Sequence, residues 1–148
     1  MQSNPPPDAR RVLVAEDDPD VRRRVASAVR LAGFEPVAAE GARDAARLVV
    51  RDANFCAAVF DVRTEGGAEL ARLVRAGERR ARVPVVMIMA GPEGRWMKEC
   101  RDAGVAVFLP NSFTSAQLQA VLRMLARPGL QNSNGAARPA GGRQLVRA

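Results

Sequence analysis

Two short apolar runs in this chain end in acids. Val12-Leu13-Val14-Ala15 is followed by Glu16, Asp17 and Asp18, and Ala57-Ala58-Val59-Phe60 is followed by Asp61. Carboxylates brought to one mouth repel and raise one another's pKa. A hard divalent cation relieves that conflict, and Mg²⁺ suits a site with few carboxylates and several retained waters. Glu16, Asp17 and Asp61 are the candidates, while Asp18, directly before Pro19, reads as a helix N-cap. The chain has no histidine, which removes histidine phosphotransfer, Ser-His-Asp chemistry and most zinc sites. Cys56 and Cys100 lie far apart and give no metal knuckle, so both read as small apolar side chains.

Whether the acids meet depends on the elements that carry them. Apolar runs and helical stretches alternate from residue 11 to residue 126. Strands are expected at 11–15, 35–38, 57–60, 84–89 and 105–109. Val21, Val25, Ala28, Val29 and Ala32 make one stripe at helical spacing, ended by Gly33. Further helices are expected from Ala42 to about Arg51, from about Ala68 to Ala76, and from Gly91-Pro92 to about Ala103. The last helix runs to about Ala126 and opens on Thr114-Ser115-Ala116-Gln117, which has the spacing of a capping box. This alternation predicts an α/β fold, a doubly wound five-stranded parallel sheet with helices on both faces. In such sheets ligands bind beyond the carboxyl ends of the strands, at the switch point in strand order. The first and third strands are neighbours there, so their acids converge. Residues 1–10 read as a disordered arm and 127–148 as a flexible tail.

With its apolar run and acid pair, and with Asp61 closing the third strand, the chain resembles the response-regulator receiver family over about residues 11 to 126. The separation between the acid pair and Asp61 is also similar to that family's. The resemblance implies a flavodoxin-like fold and a Mg²⁺ site. In that site Asp17 ligates directly, Glu16 acts through water, and the Arg63 carbonyl adds a backbone ligand. It also implies that the Asp61 carboxylate takes a phosphoryl group from a kinase histidine.

Two positions depart from the family pattern. Receivers place a threonine or serine at the end of the fourth strand and a lysine at the end of the fifth; here Met89 and Asn111 stand there. Methionine offers a phosphate no hydrogen, and asparagine donates only a neutral hydrogen bond, about half as strong as a charge-assisted one. Arg95 or Lys98, on the fourth helix, are the basic residues considered as a substitute. The loop from Val62 to Gly67 is about two residues short and glycine-rich, with the Thr64 hydroxyl near the pocket in sequence. A serine follows Asn111 where the family has proline, so the Asn111–Ser112 peptide is expected to be trans, with the loop displaced. Phe108 occupies the aromatic switch position and, without its hydroxyl partner, is expected in one packed state.

These departures favour an atypical, stand-alone receiver acting mainly as a protein-interaction module. The alternative is a working phosphoacceptor that uses Asp61. Either is a signalling module rather than an enzyme. A haloacid dehalogenase type of phosphatase would need an aspartate where Arg63 stands. Trp96 and Met97 mark the fourth helix, and receivers use the face of fourth helix, fifth strand and fifth helix for partners or for a homodimer. Expected partners are a histidine kinase or phosphotransfer protein, and other signalling proteins.

The net charge is +7, to which four arginines in 127–148 contribute. No nucleic-acid recognition motif accompanies it, so nucleic-acid binding is not expected. Arg22, Arg23 and Arg24 are consecutive and read as a solvated helix face. No apolar run approaches the ~20 residues that span a bilayer, and the N-terminus lacks a signal-peptide core, so the expected location is the cytoplasm.

Overall fold

The structure, a computed structural model, describes residues 10–51, 54–61, 66–76, 83–89 and 94–126, with 94–96 described by backbone alone. Strands β1 (Arg11–Ala15), β2 (Glu35–Ala39), β3 (Ala57–Asp61), β4 (Val85–Met89) and β5 (Val105–Pro110) alternate with five helices. The helices are α1 (Pro19–Leu31), α2 (Ala42–Arg51), α3 (Gly67–Val74), α4 (Gly94–Asp102) and α5 (Ser115–Leu125). All pairings are parallel and the strand order is β2-β1-β3-β4-β5. The order reverses between β1 and β3, which places the switch point where the acids leave the sheet.

The alternation of side chains along each strand separates two cores. Leu13, Ala15, Ala58, Phe60, Val85 and Met87 face the α2–α3–α4 side. Val12, Val14, Ala57, Val59, Val86 and Ile88 face α1 and α5. The central strands β3 and β4 are buried throughout. Such burial stabilises by roughly 1.5–3 kcal/mol for each large apolar side chain. The edge strands are covered less completely: Ala106 is exposed, and Val107, Phe108 and Leu109 are half-buried.

Local signals set the helix ends. Asp18 accepts from the N–H groups of Asp20 and Val21 at the start of α1. Thr114 and Gln117 form the expected reciprocal capping box at α5. Both cysteines are free. The Asn111–Ser112 peptide is trans, and no cis bond occurs among the described residues. Arg10 is the one part of the expected N-terminal arm that is seen, and it is tied to the domain. Its Nη1 donates to the Ala126 carbonyl at 3.1 Å and its guanidinium lies 4.4 Å from the Phe34 ring centroid. The rest of the arm, the tail and the proposed Gly91-Pro92 helix start lie outside the described residues.

Candidate functional site at the carboxyl edge of the sheet

Glu16 leaves β1 still attached to the sheet, because its N–H donates to the Ala39 carbonyl at 3.2 Å. Its Oε2 accepts the Asp18 N–H at 2.9 Å. Its Oε1 is buried and meets no donor. Asp61 is the last residue of β3, in register with Ile88. Glu16 and Asp61, 3% and 1% exposed, are the only buried charged side chains among the described residues. Burial first, and then the neighbouring Asp61 carboxyl, push the Glu16 carboxyl up to about 7, although the Asp18 N–H pulls the other way. A buried oxygen without a donor, beside a second buried carboxyl, is a place for a proton or a cation.

Asp17 is exposed instead. It lines an open cleft of about 860 Å³ together with Glu40 and, from α2, Arg43, Asp44 and Arg47. Among the described residues no three acid or thiol side chains gather closely enough to hold a metal by themselves. The buried centre of the site is therefore a pair, with Asp17 at its rim. Arg63 and Thr64 lie outside the described residues.

Met89 ends β4 opposite Pro110, buried against the α2–α3–α4 core. Asn111 follows β5 and is exposed. Its N–H donates to the Met89 carbonyl at 2.7 Å, and its carbonyl accepts from Arg24 Nη2 at 3.1 Å. Phe108 and Met97 are half-buried against the α2–α3–α4 core, and the Arg101 guanidinium lies 5.8 Å from the Phe108 ring centroid. The Trp96 and Arg95 side chains lie outside the described residues.

The three consecutive arginines of α1 do not form a uniform solvated face. Arg22 Nη1 donates to the Glu16 carbonyl at 2.8 Å, and Arg23 pairs with Asp20. Arg24 lies 4.6 Å from the Phe113 ring centroid while it holds Asn111. The reason is geometric: helical neighbours point in different directions, and α1 starts just past the end of β1. Arg22 follows the Asp18 cap by four residues, so it leans back over the first turn toward that strand end. That spacing was the available signal. Positive charge thus reaches the Glu16 backbone from α1. Lys98 is engaged elsewhere, in an exposed pair with Asp102 at 3.3 Å.

An all-parallel sheet with buried acids at its switch point defines a receiver-type architecture, and the comparisons with known proteins agree. No protein-family model matches the chain. It is 30% identical over 111 residues to the chemotaxis protein CheY of Pseudomonas aeruginosa, across 74% of this chain and 90% of that protein. It is 25% identical over 117 residues to the phosphate regulon transcriptional regulatory protein PhoB of the same organism. That match takes in 78% of this chain and spans about half, 51%, of PhoB's length. It is also similar to the receiver domain of a sensor histidine kinase from Pseudomonas aeruginosa, with a TM-score of 0.70 and 25% identity. There the match covers 80% of this chain and 98% of that domain, which was solved with a magnesium ion in its active-site cleft.

The chain belongs to the response-regulator receiver family of two-component signalling. No helix among the described residues is long and apolar enough to cross a membrane.

Proposed function

We propose that this receiver acts chiefly as a protein-interaction module, with phosphorylation switching weakened or lost. The observation that carries this reading is the pair Met89 and Asn111. One is a thioether buried in the core, the other a neutral, exposed amide at the end of β5. Neither can supply the hydroxyl or the ammonium that would report an acyl phosphate. The face of α4, β5 and α5, with Met97 and Phe108, is the surface proposed for partners, which include signalling proteins or a second copy.

The buried Glu16–Asp61 pair favours a second reading, in which Asp61 remains a phosphoacceptor. A carboxylate oxygen of Asp61 would form a bond to phosphorus as the N–P bond of a donor phosphohistidine breaks. The imidazole nitrogen would keep the electron pair and take up a proton. The all-oxygen donor set and the orphaned Glu16 Oε1 fit Mg²⁺, which would neutralise the acids and the incoming phosphoryl oxygens. Glu16, Asp17, Asp61 and the Arg63 carbonyl would hold it.

Incubation of the protein with acetyl phosphate and Mg²⁺ separates the two readings. The first expects little or no base-labile mass increase, and unchanged amide resonances across α4, β5 and α5. A stoichiometric adduct that is abolished in Asp61→Asn and moves those resonances would replace it with the second.

A further inference from the structure

The outer side of α2 carries Arg43, Arg47 and Arg51 at i, i+4 and i+8, with Val50 beside the last; all four are exposed. A rise of about 1.5 Å per residue sets the three stems along a row of about 12 Å. Several arginines elsewhere are tied down. Arg10, Arg22, Arg24, Arg75 and Arg123 donate to backbone carbonyls. By contrast, Arg43, Arg47 and Arg51 have no hydrogen-bond or ion-pair partner among the described residues. The acid on the same helix, Asp44, instead accepts the Glu40 N–H at 3.3 Å. Val50 is 75% exposed, the highest value among the large apolar side chains of the described residues. It borders a shallow, mainly apolar groove of about 700 Å³, shared with Asp44, Ala46, Leu48 and the three arginines.

We propose that this side of α2 docks an acidic helical segment of a partner protein. Carboxylates one helical turn apart would meet the arginine row, and one apolar side chain would cover Val50. Guanidinium groups suit this role because they grip carboxylates with two parallel hydrogen bonds. One observation selects a protein segment over a nucleic acid: a phosphate track has no use for an exposed valine and an apolar groove along its path. The surface lies over the β1–β2 half of the sheet, away from the α4–β5–α5 face, and does not depend on whether Asp61 is phosphorylated.

The test is fluorescence anisotropy on the full chain with a labelled helical peptide. The peptide carries glutamate at every fourth position and leucine beside that row. Controls are a peptide of the same composition in scrambled order and a short DNA duplex. The ordered peptide is expected to bind at low salt and to weaken as salt rises. Replacing Arg43, Arg47 and Arg51 together by alanine, a good helix former, is expected to weaken it about tenfold or more. Replacing Arg30 and Arg72, exposed on other helices, should change little. Val50→Glu leaves all three arginines in place and is expected to weaken binding about threefold. No binding of the ordered peptide would overturn the proposal. So would equal binding of the scrambled one, undiminished affinity in the triple variant, or a preference for the duplex.

Discussion

Glu16 sits where its ionisation works against folding. Its carboxyl is raised from 4.5 to about 7 by burial and by Asp61, so between those values the folded protein holds a proton that the unfolded chain has released. Stability therefore falls as pH rises through this window, and the contribution is present in full only at its acid end. In the metal-free protein the fall from pH 5 to pH 8 is expected to be about 1–3 kcal/mol. Glu16→Gln should flatten this trend in urea melts, and added Mg²⁺ should flatten it in the parent by supplying charge at the same place. A parent whose stability is level or rising over that range would show that Glu16 is already ionised.

At the scale of elements, the turn from α4 into β5 has the most crowded of the described glycines. Gly104 has φ +99, and a Cβ there would lie 2.5 Å from Arg75 Nε. Arg75 is not free to retreat, because its Nη1 donates to the Val83 carbonyl at 2.9 Å. Gly104→Ala is expected to cost about 2–4 kcal/mol, strain and displacement together. Gly33 shares the left-handed backbone, with φ +96, but has nothing within 4 Å. Gly33→Ala should therefore cost only about 1–2 kcal/mol, and chemical denaturation of the two variants measures the difference.

Elements of this kind were largely legible in the sequence, because their signals are local. The Asp18 cap, the Thr114 box and the five apolar runs need no knowledge of what packs on them. The acids at two strand ends were legible too, since parallel topology alone brings those ends together. Less legible was the division of labour between Glu16 and Asp17. Adjacent residues past a strand end point to opposite sides, and only the packed structure shows that Glu16 is the buried one. The separate contacts of Arg22, Arg23 and Arg24 were hidden for the same reason. A helix spreads consecutive side chains by about 100° each, and which direction meets another element is a tertiary fact.

Across the whole molecule, the sheet divides the two positions that depart from the family. Met89 is fixed in the core on the α2–α3–α4 side. Asn111 is bound through its backbone to Met89 and, from the opposite side, to Arg24 of α1. The loop entering α5 is thereby held by β4 and α1 together. Arg24→Ala is expected to lower global stability by no more than about 1 kcal/mol, while speeding amide hydrogen exchange at residues 111–113 severalfold. Unchanged exchange would show that the arginine does not restrain the loop.

That double tether bears on how fast partners can be captured. A surface that samples several shapes imposes a waiting time on a binder that fits only one, and its apparent affinity falls by the fraction of time spent in the others. With Asn111 held from both sides, the end of β5 and the start of α5 are expected to offer one shape to a colliding partner. Stopped-flow traces for a partner docking there should be single-exponential, with a rate that climbs linearly with concentration and reaches no plateau.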